Sequence, residues 1–415
     1  MNYLFIHQTV PGQYLHLIRH LALDPANRVY CIGQRVGVPI PGVETLLYAV
    51  DGALSPAAAG VGVEMDRAIR VGAAVADACR QLRDQYRFEP AIVIGHSGWG
   101  ETLFVKDVFP GAPLLSYFEF YYHRHGADIG FDPEYASDFA DPARLRVRNG
   151  VILMSADAAD WGNTPTQWQC SLFPPELRQR ITVLHEGVDT DALKPDPSAC
   201  FDWPALGLQL KAEDEVVTYA ARNLEPYRGF HSFMRAVPHI MRRRPRAQVV
   251  VVGGDEVSYG TPAAPGMTYR EQLLAEIDGQ YDPRRLHMLP ALDHTRFRHL
   301  LQISSAHVYL TYPFILSWSF IEAMAAGCAI VGSSTPPVME VMDDEVSGLA
   351  VDFFDAEQIA DRVVTLLSDQ ALARRLRRAA RQTAVRRYDL KRKILPRWIK
   401  LLQDLQRGHR PATGH

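Results

Sequence analysis

The chain has 415 residues, 47% of them apolar and 22% charged, with a net charge of −3. That length suits two domains of ordinary size, and the composition excludes a disordered, collagenous or disulfide-scaffold protein. No apolar run reaches the 18 or more residues of a membrane span, and the five scattered cysteines form no C-x-x-C pair.

Taken in order, MNYLFIH opens directly as a strand, with no basic region before an apolar one, so no signal peptide is expected. The cysteine usage fits a reducing cytoplasm. The strand Tyr3 to His7, the loop Gln8 to Gly12 and the apolar spacing of Leu15, Ile18, Leu21 and Leu23 predict a strand, a Gly-containing loop and a helix. This is a Rossmann-like opening without G-x-G-x-x-G. Gly12 is a candidate for close approach to a ligand, or a plain turn glycine. Strands are predicted over Arg28 to Gly33, Ala91 to Gly95, Pro113 to Phe118, Val151 to Ser155 and Ile181 to Leu184. A long helix is predicted from Glu64 to Tyr86 and a shorter one from Glu101 to Phe109. Ligands of open α/β sheets bind beyond the carboxyl ends of strands. His96, which follows one strand, and Glu119, which ends another, are therefore candidate site residues, with His123 and His125 weaker ones. Gly126 to Arg148 reads as polar and irregular.

The second half predicts strands at Val216 to Ala220, Gln248 to Val252, Leu286 to Leu289 and Ala306 to Leu310. Gly253 and Gly254 form a strand-to-glycine turn at a strand's carboxyl end, where ligands of open sheets bind, and Val257 to Thr268 reads as a Gly/Pro-rich surface insertion. The loop Tyr312 to Ser317 leads into a helix, roughly Trp318 to Ala326, closed by Gly327 as a C-cap. Ser319-x-x-Glu322 fits a capping box. The amides of Ser317, Trp318, Ser319 and Phe320 at such a helix start suit a phosphate. Helices close the chain from Ala356 to Leu367, Gln370 to Arg386 and Leu390 to Leu405, the last kinked at Pro396.

Several of these stretches resemble family 4 retaining glycosyltransferases, which have the GT-B fold. Glu322-Ala-Met-Ala-Ala-Gly327 matches the end of the signature E-G-F-G-x-x-x-x-E-A-M-A-x-G. Phe314 stands where the first glutamate should be, and Ile315, Leu316 and Ser317 replace G-F-G. Arg222 and Arg228 stand at the cations of G-R-x-x-x-x-K-G, and His185 to Thr190 resembles N-G-V-D-T. The resemblance implies two Rossmann-like α/β domains facing across a cleft. Residues 1–195 would bind the acceptor and residues 196–385 the nucleotide-sugar. A terminal helix, residues 386–415, would cross back to the first domain. It implies sugar transfer with retention from a UDP-, GDP- or dTDP-sugar to a glycan or lipid-linked acceptor, with no cofactor and no metal. Arg222 and Arg228 would grip the diphosphate and Glu322 the donor ribose. The sugar-reading role does not carry over to Phe314, whose apolar ring predicts a donor that is less polar there, for instance deoxy or acylated, or one read mainly by backbone groups. Asp189-x-Asp191 reads as a turn or helix cap rather than a metal motif. Rival readings are a nucleotide-sugar epimerase, a phosphorylase, or a degenerate glycosyltransferase acting as a scaffold, which the loss at Phe314 would suit.

Charge is unevenly spread. Residues 371–415 carry 14 basic and 2 acidic side chains. Two readings stay open: a solvated helix pairing with the acidic first domain, or docking of residues 371–400 on an anionic membrane surface. Nucleic acid is not expected, since no aromatic interleaving or known binding module accompanies the arginines.

Overall fold

The computed structural model describes residues 1–50, 60–135 and 142–413. These form two compact α/β units. The first comprises residues 1–50, 60–124, 142–187 and 390–413; the second comprises residues 125–135 and 188–389.

The first unit is built on a seven-stranded sheet, paired in parallel throughout. Its strands are β1 (Asn2–Ile6), β2 (Arg28–Gly33), β3 (Val43–Leu47), β4 (Ile92–His96), β5 (Leu114–Tyr117), β6 (Trp161–Thr164) and β7 (Ile181–Val183), in the order β3-β2-β1-β4-β5-β6-β7. Successive side chains of a strand point to opposite faces, so β1 feeds two cores. Leu4 and Ile6 pack with Val71, Val75 and Leu82 of helix α2 (Val63–Gln85). Tyr3 and Phe5 pack with Leu17 and Ile18 of helix α1 (Leu15–Ala22) and with Trp398, Leu401 and Leu402 of the C-terminal helix (Leu395–Gln406). That helix follows a π-helical turn, Leu390–Ile394. Trp398 Nε1 donates to the His185 carbonyl at 3.2 Å. Pro396 lies in its first turn, where a missing N–H breaks no bond, so it sits at the helix start rather than kinking the interior.

Two expectations here need correcting. Val151 to Ser155 is not a strand; it lies inside helix α3 (Pro142–Ala158). A short apolar run cannot by itself distinguish the two, and the strand comes later, at Trp161. Only Val105–Val108 of the helix expected from Glu101 is α-helical. The centre of the expected irregular stretch, residues 136–141, lies outside the described residues.

The second unit has a six-stranded parallel sheet. Its strands are β8 (Val216–Asn223), β9 (Gln248–Gly254), β10 (Leu286–Leu289), β11 (Ala306–Tyr309), β12 (Ile330–Ser333) and β13 (Leu349–Val351), ordered β10-β9-β8-β11-β12-β13. Helices α4 (Phe230–Arg243), α5 (His294–Ile303), α6 (Trp318–Ala326), α7 (Ala356–Ser368) and α8 (Gln370–Tyr388) belong to it. Val217, Val249 and Val308 are fully buried, as expected of strands covered on both faces. Helix α6 is buried along most of its length, with Phe320, Ile321, Met324 and Ala325 packed against Ala380 and Ala384 of α8. The Asp189 carboxylate accepts from the amides of Asp191 and Ala192, which is a turn.

Two arginines of α8 point inward. Arg377 donates to the carbonyls of Ser304 and Ser305 at 3.0 and 2.9 Å. Arg381 donates to those of Thr190, Leu193 and Ala325. Ser304 caps α5 and Ala325 lies in the last turn of α6, where carbonyls lack partners inside the helix. The outward face of α8 carries Arg374, Arg375, Arg378, Arg386 and Arg387.

Candidate functional site

In the second unit the candidate residues converge on the carboxyl ends of the strands. Strand β8 runs out through Arg222, which is exposed, to Asn223. The chain then turns through Pro226–Arg228 and enters α4 at Gly229. Gly229 has a φ of +68°, and a Cβ there would lie 2.4 Å from Leu310 Cβ, so no other residue fits. Arg228 is nearly buried. Its Nη1 donates to Thr311 Oγ1 at 2.9 Å and to the Ile315 carbonyl at 2.8 Å. Its guanidinium lies 5.5 Å from the centre of the Tyr259 ring. Burial alone would ease its proton off, but Tyr309, Tyr259 and Glu225 outweigh it and hold the proton on more firmly than usual.

Glu225 was not singled out in the sequence, although it lies inside the Arg222-to-Arg228 motif. It is 1% exposed, and its Oε2 accepts from the amides of Ser258, Tyr259 and Gly260 at 3.0 to 3.2 Å. Burial raises its carboxyl above the ordinary range despite those amides. It thereby pins the insertion after β9 and brings the Tyr259 ring over Arg228. Gly254, expected to approach a ligand, instead makes room for protein: a Cβ would meet Asn223 Oδ1 at 2.5 Å.

Helix α6 begins at Trp318 with Ser317 as N-cap. The capping box expected of Ser319 and Glu322 does not form, because Ser319 is already inside the first turn. Ser317 and Ser319 share a hydroxyl hydrogen bond of 3.0 Å. Glu322 is half-buried, its Oε1 3.3 Å from His294 Nε2 at the start of α5. Of the four amides expected to face a phosphate, that of Ser317 donates to the Tyr309 hydroxyl at 2.8 Å and that of Phe320 to the Ser317 carbonyl. Ser319 keeps a first-turn amide with no acceptor inside the helix.

Phe314 is 2% exposed, its ring 5.3 Å from Tyr227 and 4.9 Å from Tyr259. It is packed into an aromatic cluster rather than forming an open wall. Phe314→Glu is expected to bury a carboxylate among rings and lower stability by about 3 kcal/mol or more, a fall in Tm of roughly 6–12 °C. Phe314→Leu should fall much less. Thermal melts of both variants check this, and an unchanged Phe314→Glu melt contradicts it.

In the first unit Gly12, His96 and Glu119 meet around His7, which the sequence did not single out. Gly12 has a φ of +53°, and a Cβ there would be 2.7 Å from the His7 ring. His7 Nδ1 accepts from the Thr9 amide at 2.9 Å. Burial, reinforced by His96, pushes His7 down to about 3, so it is neutral. His96 Nδ1 accepts from the Gly98 amide at 3.0 Å, which leaves Nε2 to carry the proton, 3.5 Å from Glu119 Oε2. Trp99 stacks on the His96 ring at 4.2 Å. Gln13 Nε2 donates to Glu119 Oε1 at 3.1 Å. Burial raises the Glu119 carboxyl, but His96, His7 and Gln13 outweigh it and hold it below the usual range. The result is a half-buried carboxylate beside a buried imidazole, a pair able to accept or orient a hydroxyl proton. His123 bonds the Leu172 carbonyl and His125 is exposed in the second unit.

Comparison with known sequences bears on both units. Residues 25–193 match the family described as "Glycosyl transferase family 4 group", and residues 208–383 match "Glycosyl transferases group 1". The chain belongs to the group 1, family 4 glycosyltransferases. It is 29% identical over 211 residues to a phosphatidyl-myo-inositol mannosyltransferase of Mycobacterium leprae, covering 50% of this chain and 49% of that one. It is 28% identical over 286 residues to a GDP-mannose-dependent alpha-(1-6)-phosphatidylinositol monomannoside mannosyltransferase of Mycobacterium tuberculosis, covering 64% and 65%. These matches span only half to two thirds of those relatives' length. Among solved structures, sucrose-phosphate synthase from Thermosynechococcus elongatus superposes with a TM-score of 0.71 at 16% identity, covering 98% of this chain and all of that one. HepE from Anabaena, solved with UDP and glucose, gives 0.67 at 16%, covering 97% and 99%. The glycosyltransferase therefore has the GT-B fold.

Proposed function

We propose that this glycosyltransferase transfers a sugar, with retention, from a nucleotide-sugar to a glycan or lipid-linked acceptor. The observation that carries the reading is the set of groups at the carboxyl ends of the second sheet. Arg222 is exposed at the end of β8, Arg228 follows six residues later in the turn Pro226–Arg228, and Glu322 lies in the second turn of α6 beside His294.

As the glycosidic bond breaks, charge grows on the departing diphosphate. Arg222, Arg228 and the first-turn amide of Ser319 would stabilise it without a metal. Glu322 would accept from the ribose hydroxyls, with His294 steadying its carboxylate. With retention the leaving phosphate itself takes the acceptor proton, so Glu119 and His96 orient the acceptor rather than serve as an obligatory base. HepE was solved with UDP and a relative is named for GDP-mannose, so UDP and GDP are the first bases to try. The arginine face of α8 would hold the enzyme against an anionic membrane surface on the cytoplasmic side, where a lipid-linked acceptor would lie. No helix among the described residues is long and apolar enough to cross a membrane.

Thermal melts with UDP, GDP and dTDP test the reading. A cognate diphosphate at 100 times its Kd should add about 2.7 kcal/mol of stability. Purified protein that neither responds to any of them nor slowly hydrolyses any nucleotide-sugar would favour the scaffold reading, to which the aromatic ring at Phe314 lends support.

A further inference from the structure

Residues 125–135 leave the sequence of the first unit and join the second. This strap is polar in sequence, HGADIGFDPEY, yet Asp128 and Asp132 are only 3% and 4% exposed. Each carboxylate accepts from a tyrosine hydroxyl. Tyr227 donates to Asp128 Oδ2 at 3.0 Å, and Tyr312 donates to Asp132 Oδ2 at 2.6 Å. His231 Nε2 lies 3.2 Å from the same Asp132 oxygen. Glu134 forms a two-pronged pair with Arg235 of α4, both bonds 2.7 Å. The Phe131 ring packs 5.1 Å from Tyr312 and 5.2 Å from Phe353, which follows β13.

The two tyrosines are placed so that the strap reaches the site. Tyr227 immediately precedes Arg228. Tyr312 opens the loop that runs through Phe314 and Ile315 to the start of α6. The Tyr312 amide donates to the Tyr227 carbonyl at 3.0 Å, and the two rings lie 4.5 Å apart. The Ile315 carbonyl on that loop accepts from Arg228. Carboxylates buried among rings are costly unless their hydrogen bonds are made. Strap docking and the placement of these two loops are therefore one coupled event.

We propose that Asp128 and Asp132 are positioning residues for the diphosphate site, acting through Tyr227 and Tyr312 to set Arg228 and the loop into α6. This rests on the donor-site reading above. Binding to that site and docking of the strap then favour each other by the same factor, as linkage requires.

The test uses the full chain with UDP and GDP as probes. Asp132→Ala and Tyr312→Phe should each weaken diphosphate affinity and raise the donor KM by about tenfold to a hundredfold, the scale for a hydrogen bond to a charged group. The turnover number should change less. Asp132→Asn keeps an oxygen that accepts from Tyr312 and should recover most of the loss; a purely structural role would lower all melts without this split. Tyr312→Phe removes one oxygen atom, which keeps the test usable if Asp132→Ala fails to fold. Independently, saturating diphosphate should slow hydrogen exchange at the amides of residues 126–135. Unchanged affinity in folded Tyr312→Phe and Asp132→Ala, or unchanged strap exchange while amides near Arg228 slow, overturns the proposal. Unchanged affinity in Arg222→Ala as well would overturn the donor-site reading instead.

Discussion

Arg222→Ala is expected to lower turnover by roughly 10²–10³-fold, the scale for losing one preorganised charge partner of a transition state. Its melting temperature should not move, because the side chain is exposed and no bond from it is found among the described residues. Arg228→Ala should lose a similar factor in turnover and also about 1.5–3 kcal/mol of stability. It would strand the Thr311 hydroxyl and the Ile315 carbonyl, which now accept from a buried cation. Arg228→Lys keeps the charge but loses the planar guanidinium whose Nη1 serves both acceptors, so it should fall between wild type and alanine. Steady-state kinetics on donor transfer or hydrolysis, paired with melts, separate the two arginines. Wild-type turnover from both alanine variants would remove the diphosphate from this site.

The second large effect concerns α8. Vesicles containing anionic lipid should bind the protein at low salt and release it as salt rises, since exposed charges are screened beyond a Debye length. Each basic residue near such a surface contributes about 1 kcal/mol. Replacing Arg374, Arg378 and Arg386 together by Gln should thus weaken binding by roughly 150-fold. Arg377→Gln is the control, because its guanidinium is turned onto the Ser304 and Ser305 carbonyls. It should lower the melt and leave vesicle binding unchanged. Protein that stays in the supernatant with anionic vesicles, or a triple variant that co-sediments like wild type, rules the membrane surface out for this helix.

The sequence was most legible where the chain is local. Arg222 lies at the end of one strand and Arg228 and Gly229 follow within seven residues, so their order is read along the chain, while the bonds of Arg228 to Thr311 and Ile315 are not. The start of α6 was legible to within a residue or two. Its cap was misread because the spacing of Ser319 and Glu322 fits a capping box, while the partner that claims Glu322, His294, lies 28 residues away. The strap was not legible at all. Asp132 and Tyr312 are 180 residues apart, and a stretch of Gly, Asp and Pro between two Rossmann-like elements looks like any solvated loop until its partners are in place. The same holds for Arg377 and Arg381. Their spacing puts them among surface arginines, and only the carbonyls folded beneath them show why they point inward.

The C-terminal helix sets the order in which the protein can be finished. Tyr3 and Phe5 on β1 are made long before Trp398, Leu401 and Leu402, which pack in the same core. About 200 residues of the second unit are synthesised in between. At roughly 5–20 residues per second the ribosome needs on the order of 10–40 s to cross them. Throughout that time one face of the first sheet lacks its final helix, while the second unit can already close. A nascent chain of this protein therefore carries an open apolar surface on its first sheet until Leu395–Gln406 has been made. Chaperones have that interval in which to hold it, and a chain released short of Leu395 keeps the surface open for good.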